Sequence, residues 1–254
     1  MMLKQTRKAR FIGIDWDPEA IGNVQEKLGD FRDRVRLYNT NFSKIDLVLN
    51  DIGITYFNGI LFDLGASWHQ LTTPERGFSF NHDGSLLMQM TPDVVPLYKK
   101  MMYASYNTIL RVLREYGDIP KAHNLARLIF ENRQQLKTTF DLRRLVQRKC
   151  RGRFLKKYLH LVFQAFRIWV NDELTNLEQG LKKAINYLAS SGRLIVIAYH
   201  SGEDRIVKNI FRAFEEKKQI RRLNRKVIRP NLSEIKFNPA ARSARMRVVE
   251  KCAS

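Results

Sequence analysis

Short apolar runs alternate with helical patterns at the start of this chain; the strand signals then stop, and one strong strand returns near residue 193. The run from Arg10 to Ile14 ends on Asp15, and Pro18 then opens a helical pattern through Leu28. Val35–Tyr38 reads as a second strand, after which Ser43 can cap a helix running to about Ile52, where Gly53 stops it. Phe57–Asp63 is a third strand, apolar nearly throughout, as expected of a parallel strand covered on both faces. Parallel strands need crossover helices between them, so this alternation predicts an α/β, doubly wound sheet.

From Gly65 to about Pro96 the pattern is loop, rich in Thr, Pro, Asn and Gly. Helical patterns follow over 97–116, 122–133 (Ala122–Arg133), 141–149 with Thr139 placed to cap, and 154–188 with breaks. Strand character resumes in Arg193–His200; Ser201 then starts a helix to about Lys217, with Asp204 completing a capping box. Ile220–Ile228 and Arg245–Lys251 resemble two closing strands. The expected organisation is a sheet domain over 1–96 and 189–254, interrupted by a helical insertion subdomain over 97–188.

The charge follows this division. The chain carries 45 Lys and Arg against 25 Asp and Glu, a formal net charge of +20. Residues 97–170 hold 17 basic and 4 acidic side chains, and residues 218–254 hold 11 and 2, while 1–96 and 171–217 are nearly balanced. A solvated helix surface explains mixed charge, but two lopsided blocks repel themselves unless a polyanion neutralises them and releases its counterions. Nucleic acid is the expected partner.

In open α/β sheets ligands bind outside the carboxyl ends of the strands. Asp15 ends the first strand, where a carboxylate can accept both hydroxyls of a ribose. Phe42 follows the second, where a ring could flank an adenine, and Asp63 ends the third. Singly, each has a plain structural reading: an Asp after a strand is commonly a helix cap, and a Phe is commonly core. Together they point to a nucleoside cofactor. The segment Glu75–Phe80 places Arg76 beside Phe78 and Phe80 on a loop, a pattern that serves equally to stack a flipped base or to plug a core. His200 stands between a strand end and a helix start: it could orient a substrate while the helix start holds an anion, or the segment is simply a helix capped by Ser201.

Other chemistries lack their patterns. No G-x-G-x-x-G or P-loop run occurs, and Gly65-Ala66-Ser67-Trp68-His69 departs from the G-x-S-x-G elbow at its last position. The five histidines show no ligand spacing with each other or with Cys150 and Cys252, so no metal site is expected. No apolar run approaches the ~20 residues of a bilayer span. Met1–Arg10 is basic but runs straight into the first strand without a cleavable stretch, so it is not read as a transit peptide, and the expected setting is cytoplasmic.

Taken in order, the segments resemble the bacterial and organellar methyltransferases that act on the N4 of a cytosine in the decoding region of small-subunit (16S) ribosomal RNA. The resemblance rests on Gly13-Ile14-Asp15-Trp16-Asp17-Pro18, Asn41-Phe42-Ser43, Gly59 to Gly65, Gln70-Leu71, Pro74 to Phe80, Arg114-Glu115-Tyr116-Gly117, Phe163 to Glu173, His200-Ser201 with Glu203 to Lys208, and Asn238 to Ser243. It implies a Rossmann-like fold that uses S-adenosyl-L-methionine and acts on 16S ribosomal RNA in the small ribosomal subunit, away from membranes. It further implies that Asp15, Phe42, Asp63 and Gln70 form the cofactor pocket, with Asp63 and His200 toward the chemistry. Arg76, Phe78, Phe80, Arg167, Arg205 and Arg242, all within the matching segments, are the expected RNA contacts. The family's first strand and Gly-Gly-His loop should lie about twenty residues before Asp15 and are not found there, so the chain reads as N-terminally truncated relative to the family. Two functional expectations therefore stand: an rRNA cytosine-N4 methyltransferase, or a decayed relative that grips ribosomal RNA without transferring methyl groups.

Overall fold

A computed structural model describes residues 9–253; Met1–Lys8, and with them most of the basic N-terminal run, lie outside the described residues. The chain divides into two compact units, Met1–Gly65 with Leu174–Ser254, and Ala66–Glu173.

The first unit carries the strands. β1 (Phe11–Asp15) pairs in parallel with β2 (Val35–Asn39) through the crossover helix α1 (Pro18–Lys27). Helix α2 (Ile45–Ile52) follows and stops at Gly53 as its sequence predicts. β3 (Phe57–Asp63) pairs in parallel with β4 (Leu188–Ala198), and β4 and β5 (Ile220–Arg222) flank β6 (Arg245–Lys251), which runs antiparallel to both. The α/β class is as expected, Rossmann-like in its parallel strands and crossover helices. The strands nonetheless form two sheets, β1-β2 and β3-β4-β6-β5. Among the described residues no strand pairs with the second edge of β1 or of β3.

The burial along β3 corrects the expectation that it is covered on both faces: the face carrying Ile60 and Phe62 packs inward and the other is open. Its residues Asn58, Gly59, Leu61 and Asp63 are exposed, and only Phe62 is fully buried. An apolar run shows that a strand has side chains to bury, but a neighbour must be present to bury them. Behind the strands, α2, the helix α9 (Glu173–Asn186) and the helix α10 (Ser201–Glu216) turn Ile45, Leu49, Leu177, Leu181, Val207 and Phe211 into one core with Phe62, Leu194 and Val196.

The second unit is helical: a short α3 (Trp68–Thr72), then α4 (Leu97–Tyr103), α5 (Tyr106–Glu115), α6 (Ala122–Asn132), α7 (Thr139–Lys149) and α8 (Leu155–Asn171). The expected 97–116 helix is broken at Ala104, because Ser105 turns out to be the N-cap of α5, accepting the Thr108 N–H at 3.1 Å. The cap of α7 is Thr138, not Thr139; it forms a capping box with Asp141, while the Thr139 hydroxyl donates to the His82 carbonyl at 2.8 Å. The unit's core includes Phe80, Leu86 and Met88 from the loop before α4, together with the apolar faces of α4 to α8. The 66–96 segment, polar enough to read as loop, thus folds with the helices because Phe78, Phe80, Leu86 and Met88 are buried, while Trp68, Leu71 and Val95 stay exposed.

Candidate active site

The carboxyl ends of the parallel strands place three of the expected residues in the first unit. Asp15 faces Asn39 across the β1–β2 ladder, and the Asn39 side chain donates to the Asp15 carbonyl at 3.1 Å. Its own Oδ1 accepts the Asp17 N–H at 2.8 Å, while Asp17 caps α1 through the Glu19 N–H at 3.1 Å. Asp15 keeps an exposed side, yet desolvation by its surroundings, with the Asp17 charge adding, holds its carboxyl above the usual carboxylate range against two backbone N–H groups.

After β2, the buried Asn41 accepts the Ser43 N–H at 2.9 Å and turns the chain so that Phe42 points back at the sheet. The Phe42 ring meets Phe62 edge to face, with centroids 5.2 Å apart. It fits because position 180 in α9 is glycine: a Cβ there would lie 2.7 Å from Phe42 Cδ2. A glycine inside a helical pattern is the sequence signal for such a close approach, and Gly180 is a packing residue that sequence reasoning passed over.

Asp63 stands opposite Ile197 in the parallel register, so Tyr199, two residues on, reaches it: the Tyr199 hydroxyl donates to Asp63 Oδ1 at 2.9 Å. Burial, together with this bond and the Asp63 and Glu203 charges, pushes the Tyr199 hydroxyl up to about 12 from 10.0. Its neutral form is favoured by the fold, so its contribution to stability is complete below pH 10.0 and is lost as pH rises toward 12. Comparing the alkaline phenolate absorbance of the wild type with that of Y199F should reveal one tyrosine ionising near 12. In D63N that ionisation should move down toward the ordinary tyrosine range; an unmoved transition would mean that Asp63 does not hold the hydroxyl. Tyr199 also went unremarked in the sequence, although it sits beside a residue that did not.

His200 turns out to be the N-cap of α10, a place assigned to Ser201 from the sequence. Its Nδ1 accepts the Glu203 N–H at 3.4 Å, and the buried Glu203 carboxylate accepts the N–H groups of Tyr199 (2.8 Å) and His200 (3.3 Å). The capping box is therefore His200–Glu203 rather than Ser201–Asp204, whose carboxylate instead pairs with Arg247 at 2.6 Å. Imidazole nitrogen can accept an N–H as a hydroxyl does, which residue-type preferences underrate.

In the second unit, Gln70 is buried and completes a capping box with Ser67, its Oε1 accepting the Ser67 N–H at 3.0 Å. Arg76 lies over the Phe78 ring at 5.9 Å and donates through Nη2 to the carbonyls of Gln89 (3.0 Å) and Met90 (3.3 Å). Asn171 takes the same loop from the other side, donating to the Met88 carbonyl at 2.7 Å and accepting the Met90 N–H at 2.8 Å. Phe78 and Phe80 are both buried, and Phe80 packs edge to face on His160 and Phe163. The structure thus decides between the two readings of this pair: the rings plug the core and offer no face to a base. Arg167 is likewise occupied, in a bidentate pair with Glu173 at 2.9 and 3.0 Å whose side chains are only 16% and 10% exposed. Arg205 and Arg242 are exposed.

Residues 1–252 match the description of the MraW methylase family. The chain is 40% identical over 254 residues to a protein of Sulfurihydrogenibium sp. (strain YO3AOP1), covering 98% of this chain and 86% of that one. It is 39% identical over 247 residues to a protein of Coprothermobacter proteolyticus, covering 96% and 82%. Both relatives are named ribosomal RNA small subunit methyltransferase H. With strand ends, loop anchors and near-complete alignment in agreement, this chain belongs to the MraW methylase family.

Proposed function

We propose that the chain transfers a methyl group from S-adenosyl-L-methionine to the N4 of a cytosine in the decoding region of small-subunit ribosomal RNA, and that its basic helical subdomain recognises that RNA. The observation that carries this reading is the set of polar groups at the strand ends. Asp15 offers an exposed carboxylate to a ribose diol, Phe42 a partly exposed apolar residue to an adenine, and Asp63 ends β3 of the other sheet, next to the Phe62 ring that Phe42 touches. This donor set fits the nucleoside half of the cofactor, which when bound supplies an activated methyl on its sulfonium.

The rest falls to the chain. The lone pair of an exocyclic cytosine amine is delocalised into the ring, so the amine must be held in line and its proton accepted. Asp63 suits the role of proton acceptor, because Tyr199 occupies Oδ1 and no hydrogen bond within the described residues engages Oδ2. His200 acts at one remove, closing the α10 terminus that holds Tyr199 through Glu203. The helical unit contributes exposed basic side chains; among them are Arg144, Arg148 and Arg151, which line a shallow surface depression.

The test is transfer of labelled methyl to small ribosomal subunits by wild type, D15N and D15A, with RNA affinity measured alongside. D15N keeps an oxygen for the Asp17 N–H and isolates the loss of the carboxylate. D15A should lower transfer by about 150-fold or more, the worth of two charge-assisted hydrogen bonds at about 1.5 kcal/mol each, with RNA affinity unchanged. An equal fall in RNA affinity would make Asp15 structural. Tight RNA binding by a wild type that transfers no methyl would favour the non-catalytic reading.

A further inference from the structure

The segment between β5 and β6 has side chains at odds with its backbone. Its backbone is pinned: Asn224 accepts the Val248 N–H at 2.7 Å and donates to the Lys226 carbonyl at 2.7 Å. Ile228 and Met246 exchange backbone hydrogen bonds at 3.0 and 2.9 Å, and Asn231 caps the helix α11 (Leu232–Phe237) through the Glu234 N–H at 2.8 Å. The turn after α11 is anchored by the buried Ala241. Yet the large apolar side chains on this ordered frame face water: Leu232 is 79% exposed and Phe237 94%. A phenylalanine left in solvent forgoes the burial that stabilises its kind elsewhere in the chain, and such exposure marks an interaction site.

The charges around it say what kind. Arg225, Lys226, Arg229, Lys236 and Arg242 are exposed, none is in an ion pair among the described residues, and Glu234 is the sole acid between residues 218 and 249. Cations interleaved with an exposed ring suit a polyanion that also offers flat apolar faces. A single-stranded nucleic acid has both; duplex RNA keeps its bases stacked inside, and an anionic bilayer asks for a wider apolar face than one six-residue helix provides.

We propose that this segment is a single-stranded RNA platform, with a base stacked on Phe237 and the adjacent phosphates neutralised by Lys236 and Arg242. The platform rests on the reading of the chain as an RNA-acting protein and adds to it a defined surface. Because its backbone is held in place before binding, little ordering cost falls on association.

The probe is a fluorescently labelled single-stranded RNA of about 12 nucleotides, with anisotropy measured over a range of salt, a duplex RNA of the same length, and phosphatidylserine vesicles. F237A should weaken single-strand binding about tenfold, F237W should restore it, and duplex affinity should hold in both. K236A/R242A should flatten the dependence of log K on log salt by about 1.4, or 0.7 per phosphate. An unchanged melting temperature is expected for F237A, since the ring packs on little. The platform is refuted by single-strand binding that is equal in F237A and wild type, by failure of F237W to restore it, or by loss of vesicle rather than RNA binding. A wild type with no affinity for any RNA would sink the proposed function as well, whereas RNA binding indifferent to Phe237 would sink the platform alone.

Discussion

G84A should destabilise the helical unit by about 3 kcal/mol or more, the upper range for overpacking against atoms that cannot yield. A Cβ at position 84 would lie 1.9 Å from the Pro74 carbonyl oxygen and 2.6 Å from its carbon, and both are backbone. The same loop closes at Gly77, where a Cβ would sit 2.2 Å from the Ser85 oxygen on a residue with φ +71°. G77A thus adds left-handed strain, about 1 kcal/mol or more, to its clash. The two glycines let stretches of loop cross within a distance that excludes any side chain, which is how a polar segment comes to seal Phe78 and Phe80 inside. G29A is the control: its φ is also positive, at +48°, but nothing lies within 4 Å of the added atom. Urea unfolding should place G29A about 1 kcal/mol below wild type, from left-handed strain alone, with G77A and G84A far below it. If all three coincide, the loop is not packed as described.

R167A should cost about 3 kcal/mol while leaving RNA binding and its salt dependence as in wild type. Arg167 and Glu173 are mostly buried and share two hydrogen bonds, so deleting the arginine leaves a carboxylate stripped of its bidentate cation in a poorly hydrated place. R167K keeps the charge but not the fork, and should lose less; E173Q on the R167A background should recover part of the loss by removing the stranded charge. Denaturant midpoints read the stability, and RNA affinity at two salt concentrations reads the function. A weaker salt dependence in R167A would return Arg167 to the RNA contacts the sequence suggested.

That suggestion shows where residue types mislead. An arginine in a basic, RNA-like context reads as a phosphate ligand until Glu173, six residues on and past the Asp172 helix break, turns out to hold it. The Arg76, Phe78 and Phe80 cluster has a composition that suits base stacking, and only the Gly77 and Gly84 crossings show that the rings face inward. Tyr199 passed unnoticed because its partner, Asp63, is 136 residues away and is brought near by strand register alone. The caps were read one residue late at Thr139 and Ser201: several side chains at a helix start can accept an N–H, and choosing among them needs the backbone angle at each.

Alternation of short apolar runs with helical periods determined, without any coordinates, that parallel strands would be joined by crossover helices, and that Asp15, Phe42 and Asp63 would stand at or just beyond their carboxyl ends. Those are local properties, set by the period of burial and by where a run stops. The tertiary structure decided what each end residue touches, that the strands form two sheets and leave β3 half in water, and that the loop after Gly65 belongs with the helices. Burial, register and ion pairing are relations between distant segments; a side chain's chemistry limits them, but the neighbour that arrives beside it selects among them.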